Sequence, residues 1–482
     1  MSHPLAETNR RDFLFMAAGA AAALPLATAA SAAAPQADTT TPKGAIAAWT
    51  TDRERRHAAA PAVSWRAGKG AAGAEAIVLE PARKAQPVLG FGAAFTDAAC
   101  YNIARLPPAA GDALLKELFS PAGLGLSVCR CCVGSSDYAR FAYSYDEGAP
   151  DPTLSRFSID HDRAYIVPVI GRARAVNPSL FLLASPWSPP GWMKDNNSML
   201  GGTIRRHLLP VYAQYMVKFL AAYRDAGVPI QAISSQNEVD TDQDSLMPAC
   251  LFPQEIEVGY VAGHLGPALA AAGLDTRIWL VDHNYNLWGR AICELDDPGV
   301  ARYTKSVAWH GYVGQPDWMR RVAAAHPDVE MYWTEGGPDI RDPNYELEWV
   351  NWGRTAIGVL RNGARCLIGW NLALDEQGKP NIGPFSCGGL VTIHSRTGAI
   401  TRSGQYWALA HFSRALPRGS VIVASLGTPE QVDHVAAQLP EGGIALLLAN
   451  SGAARSVEVR QGTAQAEVAL PADSLTTLRW PS

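Results

Sequence analysis

Between positions 87 and 412 the chain repeats one pattern, a short run rich in β-branched and aromatic residues followed by a segment with helical periodicity. The β-rich runs are 88–92, 124–133, 180–185, 230–238, 277–282, 306–312, 329–335 and 366–374. Helical candidates lie between them at 109–119, 162–175, 209–226, 253–272, 287–295, 317–325 and 345–361. The third is representative: Tyr212, Tyr215, Met216, Phe219, Leu220 and Tyr223 recur every three or four positions and build one apolar face. Parallel strands joined by helices must bury both faces of their sheet, and eight of them suffice to close it into a barrel. The expected fold class is therefore α/β, a (β/α)8 TIM barrel.

After position 412 the texture changes. Runs at 421–426, 432–439, 444–449, 457–461, 466–470 and 475–480 are short, β-rich and parted by Gly, Pro, Asn or Asp, the signature of an antiparallel β-sandwich. Short runs at 63–65 and 76–79 are expected to join it, so the accessory domain draws on both ends of the mature chain. The domain map is 1–32 export signal, 33–60 linker, 61–86 sandwich strands, 87–413 barrel and 414–482 sandwich. The signal is read from Asn9-Arg10-Arg11-Asp12-Phe13-Leu14, an apolar stretch to Ala30 and the small-residue site Ala30-Ser31-Ala32. Paired arginines before Phe-Leu resemble a twin-arginine signal, which implies a periplasmic or extracellular protein. Beyond it no apolar run approaches the roughly 18 residues of a membrane span, so stable membrane insertion is not expected.

Composition removes several function classes. A formal net charge of -4 does not point to a nucleic-acid or anionic-membrane partner. The eight cysteines are scattered with no paired Cys-x-x-Cys blocks, His-Glu-x-x-His is absent, and no phosphate-cradling glycine pattern stands between strand and helix. No metal and no cofactor are expected, and the thiols are expected to be mostly free and buried.

In a closed barrel the residues at the C-terminal ends of the strands converge on one rim, where such barrels place their chemistry. Those ends carry Thr96-Asp97, Ser136-Asp137, Trp187, Asn237-Glu238, Asp282-His283, His310 with Tyr312, Glu335, and Trp370-Asn371. Carboxylates and amides hydrogen-bond hydroxyls, and indoles stack on the apolar face of a pyranose, so the set suits a neutral carbohydrate or glycolipid. Glu238 and Glu335 each end a β-rich run, and two carboxylates held on rigid strand ends are what glycoside hydrolysis requires. The other candidates for substrate binding are Asp97, Trp187, Asn237, His310, Tyr312 and Trp370, with Asp282 and His283 expected to be rim structure.

Five blocks carry a family resemblance: 90–99 (GFGAAFTDAA), 184–194 (ASPWSPPGWMK), Gln236-Asn237-Glu238, Trp333-Thr334-Glu335-Gly336 and 369–374 (GWNLAL). In this order they resemble glycoside hydrolase family 30, and within it the branch of lysosomal glucosylceramidase and microbial β-1,6-glucanases. The resemblance implies a barrel with a side β-sandwich, a retaining exo-acting β-glycosidase without metal, Glu238 as acid/base and Glu335 as nucleophile. It also implies Asn237 at the sugar 2-hydroxyl, Asp97 at the distal hydroxyls, and Trp187, Tyr312 and Trp370 as aromatic walls. Val239 stands where the family has Pro, and Cys129-Arg130-Cys131-Cys132 is an unusual form of the second strand. Other glycosidic specificities on the same scaffold, namely a β-1,6-glucanase, β-xylosidase or β-fucosidase, are alternatives. A non-catalytic carbohydrate-binding protein is the alternative from another class.

Overall fold

The computed structural model describes Pro42, residues 44–68 and residues 70–481; the expected export signal lies outside them. Eight parallel strands close a barrel in sequence order. They are Gly90–Phe95, Val128–Val133, Phe181–Pro186, Ala232–Ser234, Arg277–Asn284, Ser306–His310, Glu330–Glu335 and Ala364–Gly369. The (β/α)8 expectation holds, with three adjustments. The fourth run is regular only over Ala232–Ser234, so Glu238 lies four residues beyond a strand end and not on one. The eighth run stops at Gly369, and Ala373–Leu374 pairs into a separate three-stranded sheet. Helices that escape the sequence reading include Asp97–Ala104, capped by the Thr96 hydroxyl, and Gly404–Ala415, capped by the Ser403 hydroxyl. Both are rich in small or polar residues, which blurs the apolar stripe.

Side chains of alternate strand residues fill the barrel from the bottom. Val128, Phe181, Leu183, Ala232, Trp279, Ala308, Tyr332, Cys366 and Ile368 form one buried apolar cluster. Within it Trp279 and Tyr332 stack with centroids 3.7 Å apart. The same two-residue step carries Val128 to Arg130, Leu183 to Ser185, Ala232 to Ser234, Ala308 to His310, Tyr332 to Thr334 and Ile368 to Trp370. Apolar residues thus make the lower layers and polar ones the top. The first strand must approach its neighbour closely, since a Cβ on Gly92 would stand 1.5 Å from the Val128 carbonyl oxygen. Helices cover the outside through a second, larger core.

The accessory domain is a ten-stranded sheet with its own core, centred on Leu446, Leu448, Val459, Ala466 and Leu478. Its pairings are antiparallel except one, where Arg455–Gln461 runs parallel to Ile77–Pro87. The described part of the expected linker 33–60 contains sheet strands. Ile46–Thr51 is an inner strand, paired with Ala58–Val63 on one side and with Ser474–Trp480 on the other. Its buried side chains include Ile46 and Ala48, and alanine is too small to mark a core face in an Ala-rich stretch. All eight cysteines are free, and only Cys293 is exposed. Among the described residues no helix is long and apolar enough to cross a membrane.

Candidate active site

The top layer of the barrel is organised around a buried cation. Arg130 sits mid-strand with no solvent exposure, a position that burial would make prohibitive without partners. It donates to Glu335 Oε2 at 2.5 Å, Asn237 Oδ1 at 2.7 Å, Asp282 Oδ2 at 2.6 Å and Ser185 Oγ at 2.9 Å. Its guanidinium carbon lies 4.7 Å from the Trp187 ring centroid and 5.7 Å from that of Trp370. The two indoles stack on each other at 4.9 Å. One planar fork therefore holds a carboxylate, an amide and a second carboxylate together, which a lysine could not do.

Two departures from strand regularity aim the carboxylates. Val281 and Asp282 both have positive φ, 69° and 45°. The register skips Asp282, pairing Ala308 with Val281 and Trp309 with His283. This bulge turns Asp282 inward, where Thr334 and Ser185 hydroxyls also donate to it at 2.7 and 2.8 Å. Burial opposes its charge, yet Arg130 and the His310 hydrogen bond outweigh it and hold the carboxyl far below the usual carboxylate range. A second skip pairs Trp309 with Trp333 and His310 with Glu335, which brings Glu335 to the rim at its strand's last residue. Its Oε1 accepts from the Tyr312 hydroxyl at 2.9 Å.

Glu238 adopts positive φ, 51°, and donates its N–H to the Asp282 carbonyl at 3.0 Å. Its Oε2 accepts a short hydrogen bond from Gln243 Nε2. His310 links the acidic groups: Nδ1 is 3.3 Å from Glu238 Oε1 and 3.9 Å from Glu335 Oε1, and Nε2 is 3.1 Å from Asp282 Oδ1. The two glutamate oxygens therefore lie no more than 3.3 plus 3.9, or 7.2 Å, apart. Burial disfavours the imidazolium, but Glu335, Asp282 and Glu238 around it prevail and raise the pKa of His310 to about 9.

Seven of the eight residues expected at the site, Glu238, Glu335, Asn237, His310, Tyr312, Trp187 and Trp370, meet in this network. Asp97 is not joined to it by any of these hydrogen bonds. Its Oδ1 accepts from the Arg140 N–H at 3.0 Å, and its Oδ2 meets His161 Nε2 at 2.7 Å and takes a short bond from the Tyr165 hydroxyl. The reason is local: Asp97 opens a helix and turns its carboxylate towards the segment 140–165. A second carboxylate, Asp137, follows the second strand. It is buried, and the neighbouring Tyr138 ring meets Trp370 edge-on at 6.1 Å.

The model of the glycosyl hydrolase family 30 TIM-barrel domain matches residues 88–416, and that of the family 30 β-sandwich domain matches residues 419–478. The chain belongs to glycosyl hydrolase family 30. It is a glycoside hydrolase by membership. It is 35% identical to an endo-1,6-β-D-glucanase of Neurospora crassa over 362 residues, 72% of this chain and 74% of that one. It is 28% identical to the lysosomal acid glucosylceramidase of Mus musculus over 400 residues, 78% and 77% of the two chains. Among solved structures, the endo-β1,6-glucanase BT3312 superposes with a TM-score of 0.82 at 29% identity, covering 91% of this chain and all of that one.

Within this family 30 barrel, sequence reasoning undervalued three residues. Arg130 was visible as a charge inside a buried strand, and such a charge demands carboxylate partners. Asp282 looked like rim structure because its inward aim depends on a bulge. Gln243 lies in a loop whose path to Glu238 no periodicity announces.

Proposed function

We propose that this family 30 member is a retaining β-glucoside hydrolase working by double displacement. Glu335 attacks the anomeric carbon and forms a covalent glycosyl-enzyme while Glu238 donates a proton to the leaving oxygen. Glu238 then removes a proton from water, which releases the sugar with its configuration kept. The observation that carries this reading is the shared contact of both glutamates with His310 Nδ1, which limits their oxygens to 7.2 Å. That ceiling admits the roughly 5 to 5.5 Å of a retaining pair and overlaps only the lower end of the about 6.5 to 9.5 Å of an inverting one, so product stereochemistry decides between the two.

Arg130 and Tyr312 hold Glu335 by hydrogen bonds and His310 stands beside it, so its carboxylate is aimed. Asn237, fixed by the same guanidinium, faces the 2-hydroxyl of the sugar. Trp187 and Trp370 form the aromatic wall with Tyr312, and Asp97 is the partner for the distal hydroxyls. For the substrate, the named activities of the relatives suggest β-1,6-linked glucan or glucosylceramide, the sugar in either case being a β-glucoside. Exo action on a terminal glucose and export through the twin-arginine-like segment complete the reading.

The test is hydrolysis of β-1,6-linked glucose oligomers, glucosylceramide and aryl β-glucosides, with product anomers followed by NMR. The β-anomer should appear first, and single glucose units should be released. Initial α-glucose would overturn retention, and a ladder of internal cleavage products would overturn exo action. Glu335→Gln should remove turnover. Glu238→Ala should recover it on substrates with activated leaving groups, and full activity in either variant would sink the assigned roles.

A further inference from the structure

We propose that Glu238, His283 and His310 form a binding site for a borderline divalent cation such as Zn2+, and that the bound ion blocks hydrolysis by occupying the proton donor. The three residues come from the fourth, fifth and sixth strands or their ends, neighbours in the closed barrel. Each offers one ligand atom, and all three atoms lie within 4.8 Å of one another. His310 Nδ1 and His283 Nδ1 stand 3.3 and 3.6 Å from Glu238 Oε1. A tetrahedral ion with ligands at about 2.0 to 2.1 Å spaces them about 3.3 Å apart, so two edges of the polyhedron already exist. Closing the third asks for up to about 1.5 Å of movement, and ligation releases the proton that His310 Nδ1 shares with Glu238.

A second, independent feature points the same way. His283 is 94% buried, and its Nδ1 has no hydrogen-bond partner even though it is turned towards the glutamate. Its Nε2 meets Asp240 Oδ1 at 2.7 Å, just as His310 Nε2 meets Asp282 Oδ1 at 3.1 Å. Both imidazoles are thus backed by a carboxylate, the arrangement that orients a metal-binding histidine and raises its basicity. The bulge at Val281 and Asp282 produces it by shifting His283 one place along the rim. Asp240 is exposed, so the site has an edge through which an ion can enter. Two imidazoles and one carboxylate select Zn2+, Cu2+, Ni2+ or Co2+ over Mg2+, which prefers an all-oxygen octahedron.

The test uses the full chain freed of metal with a chelator. Calorimetric titration with Zn2+ should give one ion per chain, and Mg2+ should give none. His283→Asn should weaken Zn2+ binding at least tenfold, and Asp240→Asn by about tenfold or more, with circular dichroism unchanged in both. With Co2+ the visible spectrum should lack a thiolate charge-transfer band, which separates this site from the exposed Cys293. Absence of Zn2+ binding, equal binding in His283→Asn or a thiolate band would overturn the site. These readouts do not depend on the catalytic reading. The block does rest on the role given to Glu238: hydrolysis should fall in step with Zn2+ occupancy, and hydrolysis that persists at full occupancy would overturn the block.

Discussion

His310 makes the stability of this protein depend on pH in a definite direction. Its folded pKa of about 9 lies above the 6.5 of a free imidazole, so the folded chain keeps a proton that the unfolded chain releases. The associated stability is full below pH 6.5 and is lost as pH rises towards 9. At about 1.36 kcal/mol per pH unit the whole window is worth about 3 kcal/mol, of which about 2 kcal/mol falls between pH 6.5 and 8. That narrower interval is the clean one. Burial lowers the pKa of His57 and His434 to about 4 and that of His411 further, so their contribution is complete by pH 6.5. Lys194, lowered by burial to about 8, and the thiols of the unfolded chain, ionising near about 8.5, act above it. Urea unfolding of the wild type and of His310→Gln at pH 6, 6.5, 7.5 and 8 reads the effect directly. The wild type should lose about 2 kcal/mol more than the variant across the interval. Parallel curves would refute the claim that His310 is held as an imidazolium by Asp282, Glu238 and Glu335.

Arg130→Lys keeps the charge but cannot span four acceptors. Losing two charge-assisted bonds of about 1.5 to 3 kcal/mol each should lower kcat/KM on an aryl β-glucoside by about 100-fold or more, and a value within about threefold of wild type would contradict the central place given to this side chain. Tyr312→Phe removes one donor from Glu335 and should cost about tenfold in kcat, measured under single-turnover conditions. Gly92→Ala drives a methyl group into the Val128 carbonyl, which belongs to a barrel strand and cannot retreat. A loss above about 4 kcal/mol is expected, seen as a collapse of soluble yield and thermal midpoint, and a near-normal midpoint would show that the two strands can separate.

The architecture was legible because (β/α)8 alternation and the β-rich C-terminal segment 414–482 are written in periodicities of two and 3.6. Glu238 and Glu335 were legible because each follows an apolar run and stands beside polar residues. The remainder was hidden where backbone irregularity decides direction. The bulges that skip Asp282 and Thr334 reverse which residues face inward, and alternation counting cannot see an extra residue. At Asp97 the place after the first strand was visible, but not the Tyr165 and His161 side chains that meet its carboxylate. Ile46–Thr51 was lost among alanines, whose small side chains carry almost no record of which face is buried.

That strand ties the beginning of the described chain to its far end. Trp49 pairs with Thr477, and Ile46–Thr51 takes its inner position in the sheet only when Ser474–Trp480 lies beside it. A contact so distant along the chain forms late. During synthesis the barrel can close while Ile46–Thr51 still presents an unpaired edge, the kind of edge that recruits other chains. Ser474–Trp480 thus covers that edge. A chain cut before Ser474 keeps every residue of the barrel rim and yet leaves this edge open, so such a truncation should aggregate.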